Sequence, residues 1–296
     1  MWFSEAHAPG ARLCVRVERQ IYSAESRYQR IDIFQTPEFG RVLALDGRIM
    51  LTEKDAFIYH EMMTHPAFAV SPRIRDVLVV GGGDGGALGE ILRYESVSRV
   101  DVAEIDDMVV HAARGYLPKL ASSFDDKRAR LFIQDGVAFV RRHQGEYDLI
   151  VVDSTGPEGP GEGLFTREFF GCCSRALRED GIVLIQLGGA FYEQSLSAVA
   201  RAFSRAGKCF PVTRLYQAHV PTYPSGSWLF GFFSKGPDPI RDLKAKKWQA
   251  LGIKTRYYNT ALHRGAFALP TYIAQRLGAG EETGAAASEE GGAGDA

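Results

Sequence analysis

Between residues 76 and 187 short apolar runs alternate with longer amphipathic ones, and no other feature limits the fold of this chain so tightly. DVLVV (76–80), RVDVAEI (99–105), ARLFIQD (129–135), LIVVDS (149–154) and GIVLIQL (181–187) have strand length. ALGEILRYE (87–95), MVVHAARGYL (108–117) and FTREFFGCCSRALRE (165–179) separate them, with apolar residues at helical spacing. Largely apolar strands spaced by helices are covered on both faces, so the pattern predicts an α/β fold on a parallel sheet. Ahead of it, residues 12–53 alternate with period two around turns at Thr36-Pro37 and Asp46-Gly47, which predicts a small antiparallel β sheet. FIYHEMMTHPAF (57–68) predicts a helix ending at Pro66. The expected organisation is a β domain with its linking helix over 1–66 and a catalytic domain over 67–276. Residues 277–296, rich in Gly, Ala and Glu without periodicity, predict a disordered tail.

Composition narrows the function. With 296 residues, 45% of them hydrophobic, the chain can build one large or two modest cores. A formal net charge of −1 argues against nucleic acid or an anionic membrane surface as partner. No apolar run approaches the roughly 18 residues of a membrane span, and the N-terminus has no signal-peptide core. Cys14, Cys172, Cys173 and Cys209 show no paired metal spacing, and a soluble, reducing, cytoplasmic setting is expected. The two histidines of HEMMTH (60–65) are five positions apart, about 140° around a helix, so no metal site is expected there.

The chemistry gathers at the carboxyl ends of the strands. After the first strand comes GGGDGG (81–86), a glycine turn that lets backbone approach a ligand. Asp84 in its middle would repel a pyrophosphate, which disfavours a dinucleotide and favours a cationic ligand. The second strand ends in Glu104, placed to take the two hydroxyls of a ribose. The third ends in Asp135-Gly136, where a short acid can accept from an adenine amino group. Asp153 ends the fourth and opens into STGPEGPGEGLF. Four acids along one sheet edge suit a nucleoside that carries positive charge and no phosphate.

GGGDGG, EID (104–106), QDG (134–136) and DSTGPEGPGEGLFTREFF (153–170) resemble the polyamine aminopropyltransferases, spermidine synthase above all. So do LDGRIMLTEKDAFIYHEMMTH (45–65), PTYPSGSW (221–228) and YYNTALHRGAFALP (257–270), in the family's order and over nearly the whole chain. The resemblance implies a Rossmann-like, methyltransferase-type domain behind a β domain, assembled as a dimer or tetramer. It implies transfer of the aminopropyl group of decarboxylated S-adenosylmethionine to an amine, usually putrescine, with methylthioadenosine released. The donor is then a co-substrate and no cofactor is needed. Gln29, Gly81, Glu104, Asp135, Gly136 and Pro160 match nucleoside contacts, and Asp84 matches the acid that takes the aminopropyl ammonium. Tyr59, His60 and Tyr223 match the walls of the amine channel, and Asp153 matches the first acid of the family's Asp-Ser-Thr-Asp-Pro loop.

The second acid of that loop, the proton acceptor, is Gly156 in this chain. Glu158 and Asp153 are the candidates to replace it. An altered acceptor amine or lost activity are the other outcomes the gap allows. Two further readings stand beside the transferase: a methyltransferase using intact S-adenosylmethionine, whose carboxylate Asp84 would oppose, and a weakened nucleoside-binding homologue.

Overall fold

The computed structural model of the protein describes residues 1–156 and 159–278; Glu158 and nearly all of the expected tail lie outside the described residues. The chain opens with a hairpin of its own, β1 (Trp2–Ala8) antiparallel to β2 (Ala11–Arg16). Then β3 (Arg19–Glu25), β4 (Arg30–Thr36), β5 (Gly40–Leu45) and β6 (Arg48–Thr52) form a four-stranded antiparallel sheet in sequence order. The single sheet expected over 12–53 is therefore two sheets, and the first strand was not read at all. The one buried position of WFSEAHA is Glu5, so its inward face carries no apolar signal.

α1 (Ala56–Met62) and α2 (His65–Val70) follow. Pro66 does not end a helix here. It sits in the first turn of α2, where a missing N–H costs nothing.

The main layer is β7 (Asp76–Gly81), α3 (Gly86–Leu92), β8 (Arg99–Glu104), α4 (Asp107–Tyr116), α5 (Pro118–Ala121), β9 (Ala129–Ile133), α6 (Gly136–Arg141), β10 (Tyr147–Asp153), α7 (Arg167–Ala176) and β11 (Leu177–Gly189). It continues with α8 (Glu193–Ala206), β12 (Val212–His219), β13 (Ser227–Ser234), α9 (Ala245–Ala250), α10 (Thr260–Ala266) and α11 (Thr271–Arg276). The strand order is β12-β13-β11-β10-β7-β8-β9. β7 to β11 pair in parallel as predicted, but β13 runs antiparallel to both β11 and β12. The connection 220–226 is too short for a crossover, which needs a dozen or more residues, so β12 and β13 must form a hairpin.

Alternate residues of the central strands fill opposite cores. Val77, Val79, Leu149 and Val151 pack with α1, α2 and α3, while Leu78, Val80, Ile150 and Val152 pack with α7 and α8. Each such side chain contributes roughly 1.5–3 kcal/mol of burial, which makes the strand ends rigid mounts for the acids they carry. Cys172 and Cys173 belong to the second core as plain buried thiols. The four-stranded sheet lays Ile31, Ile33 and Leu43 against Val109 and Ala112 of α4, which fixes the β3–β4 turn above the end of β8. No helix among the described residues is long and apolar enough to cross a membrane.

Candidate active site

The strand order reverses between β7 and β10, and the ends of these two strands are drawn together. Gly81 (φ +82) ends β7, and a Cβ there would lie 2.1 Å from the carbonyl oxygen of Asp153. Only glycine allows that approach. The Gly82 N–H then donates to the same oxygen at 2.7 Å. Gly86, at the start of α3, is needed for a second close contact: its Cβ would fall 2.1 Å from the His60 ring. Helix α1 thereby rests its His60 on the glycine turn.

Asp84 stands between these two. Its Oδ1 accepts from the Gly86 N–H at 2.6 Å and faces His60 Nε2 at 3.3 Å. Burial pushes the Asp84 carboxyl up, but the His60 charge and hydrogen bond outweigh it and hold the group below its ordinary value. Burial likewise depresses His60, and Asp84 more than reverses this, so the imidazole is raised. Asp153 differs. Burial and the neighbouring Asp84 charge raise it to about 6, against the opposing pull of His60 and Tyr59. Its Oδ1 accepts from the Tyr59 hydroxyl at 2.7 Å, while its buried Oδ2 has no partner among the described residues. A ring nitrogen of His60 and an oxygen from each of Asp84 and Asp153 lie within 4.8 Å of one another, a cluster whose carboxyl groups suit an ammonium.

A cavity of about 160 Å³ runs from this cluster along the ends of β7, β8 and β9. Glu104 lies on its floor, with Oε2 accepting from Gly83 N–H at 3.1 Å and Oε1 from Asp106 N–H at 2.9 Å. Burial raises Glu104 to about 7 in spite of these bonds. A donor such as a ribose hydroxyl would reach a carboxylate with free lone pairs. Asp106 caps α4 through Met108 N–H at 3.1 Å. It also accepts from Ser26 Oγ at 2.6 Å and Gln29 Nε2 at 3.0 Å, and so fixes Gln29 over the cavity mouth. Asp135 caps α6 through Ala138 N–H at 2.7 Å and remains exposed at the rim. A Cβ on Gly136 would meet Val80 at 2.3 Å, and its absence lets the start of α6 lie tight against β7.

A second cavity of about 420 Å³ meets the first at a throat formed by Met50, Tyr59, Ser154, Thr155 and Tyr223. The Tyr59 and Tyr223 rings stand edge to face with centroids 5.7 Å apart. Gly156 lines this cavity, and a Cβ there would meet nothing within 4 Å. Three more buried polar atoms on its wall lack hydrogen-bond partners among the described residues: Gln186 Oε1, Trp228 Nε1 and His7 Nε2, the last facing Glu5 Oε2 at 3.9 Å. Glu5 adds a carboxyl that burial raises to about 7, its Oε2 held by Ile49 N–H at 3.1 Å. Sequence reasoning missed Glu5, His7, Gln186 and Trp228. The available signal was a glutamate at the centre of an otherwise strand-like WFSEAHA.

Of the residues singled out by sequence, Gln29, Tyr59, His60, Gly81, Asp84, Glu104, Asp135, Gly136, Asp153 and Tyr223 all face the first cavity. Gly156 faces the second, and Pro160 falls in the 3-10 turn Gly159–Phe165, whose Gly161 and Leu164 line the first.

A methyltransferase-type Rossmann sheet with acids at its strand ends, and two cavities joined by a tyrosine throat, is the architecture of a group-transfer enzyme. Comparison with known proteins narrows this. Residues 56–243 match the spermine/spermidine synthase domain and residues 1–53 the spermidine synthase tetramerisation domain. A polyamine aminopropyltransferase of Alkaliphilus oremlandii is 50% identical over 282 residues, covering 95% of this chain and 99% of that one. One from Clostridium perfringens is 52% identical over 277 residues, covering 94% and 98%. A crystal structure of spermidine synthase with the transition-state analogue AdoDATO superposes with a TM-score of 0.92 at 42% identity, covering 94% of this chain and 95% of that one. The spermidine synthase of Thermotoga maritima gives 0.90 at 42% identity, covering 94% of both. The chain belongs to the spermine/spermidine synthase family and is an aminopropyltransferase.

Proposed function

We propose that the protein moves the 3-aminopropyl group of decarboxylated S-adenosylmethionine onto putrescine or a related amine. The observation that carries this reading is the throat, where two tyrosines stand between the two cavities and one of them, Tyr59, holds Asp153 on the first-cavity side with a carboxylate oxygen left unpartnered. The nucleoside lies in the first cavity, its ribose on Glu104 and its propylammonium on Asp84. The amine enters from the second cavity, its far end on Glu5 and Gln186. The amine lone pair attacks the propyl carbon next to sulfur, the C–S bond breaks with its electrons passing to sulfur, and methylthioadenosine departs. The proton lost by the amine nitrogen goes to Asp153 Oδ2, which replaces the acid absent at Gly156.

The raised Asp153 supports that role. A base held at about 6 instead of 3.8 is closer to the amine by about 3 kcal/mol of proton-transfer free energy. Tyr59, donating to Oδ1, leaves Oδ2 as the free acceptor.

The same reading makes the protein a cytoplasmic homodimer or homotetramer that needs no cofactor. The match of residues 1–53 to a tetramerisation domain and the exposed Trp2 on β1 support the assembly. The test is incubation with decarboxylated S-adenosylmethionine and a panel of amines, with products identified by mass. An aminopropyl adduct and methylthioadenosine in equal amounts are expected. Methyl transfer from intact S-adenosylmethionine would overturn the reading.

A further inference from the structure

Asp55 lies outside both cavities, yet its carboxyl group ties together the segments that carry three of the five throat residues. It is 4% exposed and stands at the start of α1, four residues before Tyr59. Its Oδ1 accepts from Thr52 Oγ1 at 2.6 Å, at the end of the strand that carries Met50. Its Oδ2 accepts twice from Thr222, from the amide at 3.1 Å and from the hydroxyl at 2.6 Å. Thr222 precedes Tyr223, whose own hydroxyl donates to the Met50 carbonyl. The Asp55 backbone carbonyl also accepts from Ile58 N–H at 2.9 Å, which starts the helix. One side chain therefore joins the end of β6, the start of α1 and the 220–226 turn, segments separated by up to 167 residues.

We infer that Asp55 is a positioning residue for aminopropyl transfer, acting through Tyr59, Tyr223 and Met50 to set the width and alignment of the throat. This rests on the transferase reading of the site. The chemical reason is that the acceptor nitrogen and the propyl carbon must meet in line with the breaking C–S bond, and a displacement of about 1 Å costs on the order of 100-fold. Thr222 Oγ1 and Thr52 Oγ1 both donate to Asp55, and an asparagine cannot accept at both oxygens' positions. It keeps these contacts only with its oxygen towards Thr222 and the Thr52 hydroxyl turned round to accept from the amide nitrogen, and the bonds lose the strength that a charged acceptor gives them. The nucleoside floor is untouched, because none of the bonds to Glu104 or Asp106 involves Asp55.

The experiment compares the full-length wild type with Asp55→Asn, Thr222→Val and Thr222→Ser. Asp55→Asn and Thr222→Val should lower kcat about 10- to 100-fold and raise KM for the amine. Methylthioadenosine affinity should stay at the wild-type level. Thr222→Ser, which keeps the hydroxyl, should restore turnover. Hydrogen exchange provides the readout independent of turnover: segments 50–52 and 220–226 should lose protection in Asp55→Asn while 104–106 keeps it. Equal loss of protection everywhere, or a parallel fall in methylthioadenosine affinity, would show a merely structural residue and overturn the inference. So would wild-type kinetics in both damaged variants. If the wild type itself transferred no aminopropyl group, the functional reading would fail, and the exchange pattern would still decide the role of Asp55.

Discussion

Placing a carboxylate at position 156 separates a missing base from a relocated one. The backbone offers no obstacle: a Cβ on Gly156 meets nothing within 4 Å, and its φ lies outside the left-handed region. Aspartate therefore enters the second cavity without clash or strain. With the lysine side chain as a model, an acceptor amine has a pKa of about 10.4, so presenting it neutral at pH 7 costs roughly 4–5 kcal/mol. A positioned base returns about 10²- to 10⁴-fold. Asp153, already raised to about 6, supplies part of this, so the added acid gains only the remainder. We expect Gly156→Asp to raise kcat/KM for putrescine about 10- to 100-fold at pH 7. The gain should shrink towards pH 10, where the amine is neutral without help. Release of methylthioadenosine, followed from pH 6 to 10, measures it. Glu158→Gln in the parent is the companion variant, because a large loss there would move the base from Asp153 to Glu158. No gain at pH 7, or a gain equal at every pH, would refute the idea that proton removal limits this site.

Three more outcomes follow from the geometry. Glu104→Ala should weaken methylthioadenosine binding about 10- to 100-fold by calorimetry with the fold retained, since a charge-assisted bond pair is lost; unchanged affinity would mean that β8 does not present its end to the ligand. Decarboxylated S-adenosylmethionine should bind far more tightly than the intact compound, whose carboxylate meets the depressed Asp84, and Asp84→Asn should narrow the difference; equal affinities in the wild type would sink this. Because the folded state holds Glu104 at about 7 against an ordinary 4.5, it keeps a proton that the unfolded chain has released between these values, so this group's contribution falls as pH rises through that window. Unliganded Glu104→Gln should therefore gain on the wild type by up to about 3 kcal/mol in denaturant unfolding between pH 5 and 8, and parallel profiles would contradict it.

What the sequence made legible was whatever pairs local chemistry with a regular pattern. The β7–β11 strands announced themselves by short runs rich in Val, Leu and Ile, and each acid at a strand end could be placed because the strand before it could. The antiparallel β12–β13 pair was not read, because the deciding fact is the length of the 220–226 loop and not the composition of either strand. Pro66 was misread because proline marks a helix start as well as a helix stop, and only the break at Thr64 tells them apart. Gln186 escaped because nothing local distinguishes a polar residue that faces a cavity from one that faces water, and the glutamate at the centre of WFSEAHA hints at a buried acid without saying what it faces. Only the folded hairpin carries β1 over the Asp153 loop.

The acids of the two cavities share a feature that links stability to substrate choice. Glu5 and Glu104 are raised to about 7 and Asp153 to about 6, in each case first by burial. None of the three has a lysine or arginine as a hydrogen-bonding partner among the described residues, in contrast to Asp126, which Arg128 holds down to about 2. An internal cation would remove the strain, but it would also occupy the place of the ligand. Glu5 has only the His7 imidazole at 3.9 Å and the charge of Arg48 to oppose its burial, and the site stays unfavourable for negative charge, so a positively charged ligand gains by relieving it. His60 is the one internal cation at the cluster, and it is committed to Asp84. Asp153 is thus left able to take a proton at the throat, where the reacting nitrogen must lose one. The placement of one buried imidazole divides the work of two neighbouring carboxyls, one fixed as an anion for binding and one free to titrate.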